Sequence, residues 1–137
     1  MKHVLVLCTG NSCRSQMAEG WLRHFAGAKA EIFSAGIVAS GLNPKAVAVM
    51  REAGIDISHH SSKTIAEFRQ KEFDFVITVC DNAREHCPLY PATTKQFHRD
   101  FEDPTYALGS PDEVMAAYQA TRDSLKEYCE TFVKEEL

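Results

Sequence analysis

A strand that runs at once into a short loop and a helix constrains this chain more than any other feature. The apolar run Val4–Leu7 is typical of a buried strand, expected over 2–8, and apolar residues at helical spacing predict a helix over 14–27. Cys8 ends the strand and Arg14 begins the helix, with five residues between them. Such a junction delivers the loop to the carboxyl edge of a sheet, and the free N–H groups of the helix point at it. The segment therefore predicts a site for a tetrahedral oxyanion with a thiol at its centre.

Each residue of this loop has a use in such a site. The expected oxyanion-binding residues are Thr9, Gly10, Asn11, Ser12, Cys13, Arg14 and Ser15. Gly10 allows a tight backbone whose N–H groups converge, and Arg14 can add two parallel hydrogen bonds. The same positive field is expected to lower the pKa of Cys8 and keep it a thiolate near neutral pH, with a hydrogen bond from Ser15. Cys13 is interpreted as a secondary or structural thiol. A buried structural cysteine with a surface arginine is the alternative for Cys8 and Arg14.

Strand and helix patterns alternate along the rest of the chain. The further expected elements are strands at 30–35, 73–80 and 95–98, and helices at 44–53, near 63–70 and from Pro111 onward. Val47, Met50 and Ala53 form the expected apolar stripe of the second helix. Such alternation implies a parallel sheet with right-handed crossovers. We therefore predict one domain over 1–137, a small doubly wound α/β fold with a four-stranded parallel sheet flanked by helices.

Composition narrows the class of protein further. The net charge of −4 leaves no basic surface for a nucleic acid. No secretory leader precedes the first strand and no apolar run is long enough to span a bilayer, so we expect a cytoplasmic protein that does not bind membranes. Five cysteines, an odd number, favour thiol chemistry over a disulfide framework. The six histidines do not join the cysteines at zinc-ligand spacing, and His59-His60 is interpreted as a polar loop, so neither a metal nor a cofactor is predicted.

The amino-terminal motif has a partner late in the chain. Cys8-x5-Arg14 followed by Ser15 is the signature of cysteine phosphatases, and Cys-Thr-Gly-Asn-Ser-Cys-Arg-Ser resembles the low-molecular-weight protein tyrosine phosphatases. The resemblance implies their fold and a late Asp-Pro whose aspartate is the general acid; Asp103-Pro104 occupies that place. Proline biases Asp103 to an extended backbone, and a carboxyl group in a dry site is expected to keep its proton for a leaving oxygen. An ordinary Asp-Pro turn is the alternative.

A second pair of thiols lies in Cys80-Asp-Asn-Ala-Arg-Glu-His-Cys87. On a helix this pair would lie roughly 10 Å apart. The α-carbons of a disulfide lie within about 7 Å, so a bridge requires the segment to unwind or loop out. Arg84 and His86 are interpreted as a solvated helix face, and Cys129 as incidental. The alternative for the pair is a buried hydrophobic residue, Cys80, and a chance surface thiol, Cys87.

With this pair, the chain resembles the thioredoxin-coupled arsenate reductases from about residue 2 to beyond 105. Further stretches that fit are Phe33–Gly36, Gly41–Pro44 and Gly54–Ser58. The resemblance implies reduction of arsenate to arsenite, with phosphate or sulfate as binding analogues. Cys8 would attack arsenic with help from Asp103, Cys80 would then attack Cys8, and Cys87 would displace Cys8. The resulting Cys80–Cys87 bridge would be reduced by thioredoxin, with glutaredoxin as the alternative donor.

Two other functions remain open on the sequence alone. A low-molecular-weight tyrosine phosphatase needs only Cys8, Arg14 and Asp103, and a reductase of this type would keep weak phosphatase activity. A non-catalytic oxyanion or redox sensor would bind anions without turnover. The three share one scaffold, so fold does not choose between them.

One position departs from the pattern of relatives that bind potassium beside the loop. The resemblance places their ligands at Asn11, Glu19, Ser34, Ser61 and residue 63, where an acidic residue is expected. Residue 63 is a lysine here. Its ammonium group could take the place of the cation and pair with Glu19; a surface lysine at a helix start is the alternative.

Overall fold

A parallel sheet of four strands lies at the centre of the molecule, and the computed structural model describes all residues, 1–137. The strands are β1 (Lys2–Cys8), β2 (Ala30–Gly36), β3 (Phe75–Thr78) and β4 (Lys95–His98). They lie in the order β2-β1-β3-β4, and every neighbouring pair is parallel. Parallel strands end at the same edge of a sheet, so the loops that follow them meet there. The predicted four-stranded parallel α/β fold is confirmed.

Helices cover the sheet. They are α1 (Arg14–Ala26), α2 (Pro44–Glu52), α3 (Asp81–Glu85) and α4 (Pro111–Glu136), with short 3-10 turns at Gly27–Lys29, Ile65–Phe68 and Pro104–Tyr106. Val4–Leu7 of β1 are wholly inaccessible to solvent, as expected for a central strand covered on both faces. Trp21 of α1 donates its indole N–H to the carbonyl of Arg122 in α4 at 3.1 Å, which fixes the two helices together. No helix combines the length and the apolar character needed to cross a membrane.

Most predicted elements are present, and three differ in detail. The short helix expected near 63–70 is a 3-10 helix, Ile65–Phe68. The strand expected over 73–80 is shorter, Phe75–Thr78, because its pairing with both neighbouring strands covers only those four residues and Cys80 is already the N-cap of α3. The apolar stripe of α2 is formed by Ala46, Val49 and Met50. The prediction that Ala53 belongs to it is wrong, because the helix ends at Glu52 and leaves Ala53 exposed.

The strand order determines which cysteines can meet. Cys8 is the last residue of β1, and Cys80 lies two residues beyond β3. The two strands are neighbours, with Leu7 opposite Thr78. The sheet therefore brings Cys8 and Cys80 to one edge.

Candidate active site

The loop between β1 and α1 is held by its carbonyl groups. The segment 37–43, which follows β2, donates backbone N–H groups to four of these carbonyls at 2.9–3.3 Å. The pairs, donor first, are Ile37–Cys8, Val38–Thr9, Ser40–Gly10 and Asn43–Ser12. The N–H groups of residues 9–13 donate to no protein acceptor. A loop with its carbonyls fixed on one side and its N–H groups free is a nest for an anion.

Asn11 fixes the shape of this loop from behind. It has a φ of 47°, a left-handed conformation that asparagine tolerates better than most residues. Its side-chain amide donates to the hydroxyls of Ser15 and Ser34, each at 2.9 Å. Its Oδ1 accepts from Gln16 Nε2 at 3.0 Å and from the backbone N–H of Lys63 at 2.8 Å. The buried side chain is therefore fully hydrogen-bonded, and the loop conformation is set before any anion binds.

Gly36, the last residue of β2, allows the sheet to approach the loop. A Cβ atom at this position would lie 2.6 Å from the backbone N of Asn11 and 2.8 Å from the carbonyl oxygen of Thr9, and would also collide with the carbonyl of Val38. These are backbone atoms that cannot move aside. The loop can pack on β2 only because residue 36 has no side chain.

Arg14 and Asp103 lie at the same end of the loop. Arg14 is buried, with 8% of its surface exposed, and donates to the carbonyl of Phe101 at 3.0 Å and to Asp103 Oδ2 at 3.3 Å. Asp103 Oδ1 accepts from the backbone N–H of Thr105 at 3.0 Å and from its hydroxyl at 2.6 Å. Every hydrogen-bond partner of Asp103 is a donor. The structure thus places the residue predicted as the acid at the site, in contact with Arg14.

Cys80 lies beside Cys8, close enough that each thiol shifts the pKa of the other. The sulfur of Cys80 also lies 3.2 Å from Thr9 Oγ1 and accepts the backbone N–H of Ala83 at 3.4 Å. The hydrogen bond with Cys8 lowers the pKa of Cys80 to about 5, helped by Thr9, Ala83 and Arg14 and opposed by burial. The pKa of Cys8 is raised well above its ordinary value, first by the same hydrogen bond and then by burial. The pair therefore shares one negative charge near neutral pH.

The prediction of a lowered pKa at Cys8 is thus wrong for this arrangement. The hydrogen bond with Cys80 and burial outweigh Arg14 and the backbone N–H of Ser15, both of which lower the pKa as expected. Ser15 acts on Cys8 through its backbone, because its hydroxyl is bonded to Asn11. The sequence does not reveal the competing thiol, since the contact between the two cysteines exists only once β1 and β3 have paired.

Lys63, the residue predicted to take the place of a bound cation, makes a different contact from the one expected. Lys63 Nζ donates to the carbonyl of Ser61 at 2.7 Å and does not pair with Glu19. Glu19 instead lies 2.7 Å from Arg23 Nη2 and 3.6 Å from His60 Nε2, and it accepts the hydroxyl of Ser34. The predicted pair of Lys63 with Glu19 is wrong. The residues nevertheless do not fit a potassium ion, because two cationic side chains already satisfy Glu19 and the Ser61 carbonyl.

His60 and Gln16 complete this buried network, and sequence reasoning missed both. Gln16 Nε2 donates to Asn11 and to the carbonyl of Ser61, while its Oε1 lies 2.9 Å from His60 Nδ1. Burial lowers the pKa of His60, although Glu19 opposes this. The interpretation of His59-His60 as a polar loop holds for the exposed His59, but the side chain of His60 is buried. An isolated His-His pair carries no sign that one ring points inward.

Comparison with known proteins identifies the scaffold. Residues 3–137 match the model of the low molecular weight phosphotyrosine protein phosphatases. The chain belongs to that family. Within it, the chain is 46% identical over 134 residues to the arsenate reductase of Bacillus subtilis (strain 168), covering 95% of this chain and 96% of the relative. The resemblance predicted from the motifs is confirmed, and arsenate reductase is the enzyme class that the similarity supports.

Solved structures of the family agree. An arsenate reductase in its oxidized state superposes with a TM-score of 0.85 at 30% identity, covering 98% of both chains. A low molecular weight protein tyrosine phosphatase from T. tengcongensis gives a TM-score of 0.81 at 30% identity, covering 98% of this chain and 99% of the other. Both chemistries are therefore represented on this backbone.

The other three cysteines of the chain do not belong to the Cys8–Cys80 pair. Cys87 follows α3, is half-buried, and burial raises its pKa. Burial raises the pKa of Cys13 to about 12 and also raises that of Cys129, so both fit structural thiols. Arg84 and His86 are exposed, as expected of a solvated face. All five cysteines are free thiols, so Cys87 forms no bridge with Cys8 or Cys80 in this structure.

Proposed function

We propose that this chain reduces arsenate to arsenite through a relay from Cys8 to Cys80 to Cys87. The observation that carries the proposal is the position of Cys80 beside the anion-binding loop: β1 and β3 are neighbours, and Cys80 Sγ lies 3.2 Å from the hydroxyl of Thr9, the residue after Cys8. A phosphatase has no use for a second thiol at its nucleophile. A reductase needs one, because two electrons must reach the substrate in each turnover.

The first step is nucleophilic attack on a bound oxyanion. Arsenate is a tetrahedral anion, and the free N–H groups of residues 9–13 together with Arg14 suit its oxygens. Cys8 becomes a thiolate by passing its proton to Cys80 along their hydrogen bond. An S–As bond then forms and an As–O bond breaks, and the oxygen leaves as water with a proton from Asp103. Asp103 must take up that proton and release Arg14 beforehand.

The second step transfers the electrons. Cys80 gives the proton that it took from Cys8 to an oxygen of the bound arsenic and attacks Cys8 Sγ as a thiolate, so an S–S bond forms and the S–As bond breaks. The bonding pair stays on arsenic, which goes from the +5 to the +3 state and leaves as arsenite. Thr9 and Ala83 already donate to Cys80 and stabilise its thiolate.

The third step regenerates the nucleophile. Cys87 as a thiolate attacks Cys80 Sγ, a Cys80–Cys87 bond forms, and Cys8 leaves as a thiolate. The helix α3 separates these two residues, so it must open. A dithiol protein such as thioredoxin then reduces the bridge, with glutaredoxin as the alternative donor, and free thiols throughout the chain fit a reducing cytoplasm.

Single cysteine variants test the order of the relay. After one pulse of arsenate, Cys80→Ser should form no intramolecular bridge and release no arsenite. Cys87→Ser should release one arsenite per chain and accumulate a Cys8–Cys80 bridge. Cys129→Ser is the matched control and should turn over normally. Intact mass and peptide mapping identify the species; a Cys8–Cys87 bridge with full turnover in Cys80→Ser would reverse the order.

A tyrosine phosphatase is the second candidate, favoured by the contact of Arg14 with Asp103 at 3.3 Å. Those two residues and Cys8 suffice for hydrolysis of an aryl phosphate, and we propose that this activity persists weakly. If both single cysteine variants hydrolyse aryl phosphate normally and the unmutated chain releases no arsenite, the phosphatase assignment replaces the reductase one.

A further inference from the structure

The residue that follows Cys80 is held by two side chains from the end of β4. His98 Nε2 donates to Asp81 Oδ1 at 2.8 Å, because a carboxylate only accepts. The backbone N–H of Asp81 donates to Asp100 Oδ1 at 3.0 Å. His98 is itself fixed by its Nδ1, which lies 2.8 Å from the hydroxyl of Thr78 at the end of β3. We name His98 and Asp100 the β4 anchor.

The other end of the same segment packs on the core through the half-buried Cys87 but has few hydrogen bonds. The backbone N–H of Cys87 reaches the carbonyl of Arg84 only at 3.4 Å. Among residues 88–93, only Pro91 takes part in a backbone hydrogen bond: its carbonyl accepts the N–H of Thr94. Leu89 is fully exposed. The segment 80–87 is therefore tied firmly at Cys80 and loosely at Cys87.

We propose that His98 and Asp100 are positioning residues that keep Cys80 beside Cys8, so that the Cys87 end of the segment moves when the second bridge forms. The inference rests on the relay proposed above. Cys80 must meet the Cys8 sulfur in line with the breaking S–As bond, and an error of about 1 Å in such geometry can cost a hundredfold in rate. An anchor that acts on Asp81, directly after Cys80, controls that geometry without touching the substrate.

The location of the anchor also argues for a local role. Asp81 is exposed, with 68% of its side chain accessible, while 19% of the His98 side chain is accessible; ion pairs with an exposed partner contribute about 0–1 kcal/mol to global stability. Loss of the pair should therefore leave the fold intact. Its effect should be confined to the step in which Cys80 attacks Cys8, where the S–S bond forms and the electron pair passes to arsenic.

The test uses the Cys87→Ser protein as parent, because its reaction stops at the Cys8–Cys80 bridge. Added to it, His98→Ala should slow bridge formation after an arsenate pulse by about tenfold to a hundredfold. Phosphate affinity and melting temperature should stay near those of the parent. His98→Gln should restore most of the rate, since its amide can donate to Asp81, and Asp100→Ala should also be slow. His3→Ala, which removes a strand histidine 3.8 Å from Glu31, is the matched control and should be neutral.

Each outcome is decisive. Bridge formation at the parental rate in His98→Ala would overturn the anchor, and so would a parallel loss of phosphate binding and thermal stability. If the parent itself forms no bridge, the relay fails, and the role of the anchor in it fails too. Amide hydrogen exchange of the reduced protein separates these cases: His98→Ala should speed exchange at Asp81 whether or not arsenate is reduced.

Discussion

Arg14 Nη2 lies 3.3 Å from Asp103 Oδ2, so the residue expected to bind the oxyanion also holds the residue expected to act as the acid. Its other terminal nitrogen is bonded to the carbonyl of Phe101. An entering oxyanion must therefore compete with a carboxylate for the guanidinium group, and anion binding and acid catalysis are linked through one contact.

The contact predicts opposite effects on binding and turnover in Asp103→Asn. Phosphate should bind more tightly, because a competing negative charge is removed. The rate of arsenite release should fall by about 10²–10⁴, the usual contribution of a general acid. Calorimetric titration with phosphate and single-turnover kinetics measure the two effects, with the exposed Asp112→Asn as control. Weaker phosphate binding in Asp103→Asn would show that the carboxylate does not compete for Arg14.

Cys8 and Arg14 should be separable by anion binding. Cys8→Ser should abolish reduction and still bind phosphate or sulfate, because the N–H groups of the loop and Arg14 remain. Arg14→Ala should weaken binding by about 1.5–3 kcal/mol, or tenfold to a hundredfold, through loss of charge-assisted hydrogen bonds. Arg51→Ala, at the exposed end of α2, controls for net charge. The anion-binding model is wrong if Cys8→Ser loses phosphate while Arg14→Ala keeps it.

The charge shared by Cys8 and Cys80 predicts a movable thiolate. The unmutated protein should show one thiolate per chain by ultraviolet absorbance above a pH of about 5, the pKa of Cys80. In Cys80→Ser the pKa of Cys8 should fall, because the hydrogen bond that raises it most is gone and Arg14 still lowers it. One thiolate should thus persist at pH 7 in that variant and disappear in Cys8→Ser/Cys80→Ser. Absence of any thiolate at pH 7 in Cys80→Ser would mean that the loop alone does not activate Cys8.

The network around Glu19 predicts indifference to potassium. Because Arg23, His60 and the Lys63 ammonium group already satisfy Glu19 and the Ser61 carbonyl, exchanging potassium for sodium at fixed ionic strength should leave the melting temperature unchanged. Lys63→Asp should create a potassium dependence, and Lys45→Asp should not. A rise in melting temperature with potassium alone in the unmutated protein would contradict this arrangement.

Local patterns predicted the elements well because each depends on nearby residues. The strands at 2–8 and 95–98 agree with the structure to the residue. In the stripe of α2, Met50 is buried and Val47 packs against the core as predicted, whereas Ala53 does not, since the helix ends before it.

Contacts between residues that lie far apart in the chain could not be predicted from the sequence. The loop motif indicated an anion site, and the alternating pattern indicated a parallel sheet. Neither indicated that Cys80 would share the charge of Cys8, that Glu19 would pair with Arg23 and not with Lys63, or that His98 would contact Asp81. Each of these depends on strand register and side-chain direction, which local composition does not encode.

The reactive pair of Cys8 and Cys80 exists only in the folded protein, because it forms when β1 and β3 become neighbours in the sheet. Thr9 and Cys80 meet across 71 positions of sequence, and nothing local brings them together. Contacts of such long range form late, because the intervening chain must first be closed into a loop. A chain still emerging from synthesis, with β1 made and β3 absent, carries ordinary cysteines without a lowered pKa. The thiol pair therefore becomes active only when the protein is complete, and its thiolate can serve as a built-in reporter of correct folding.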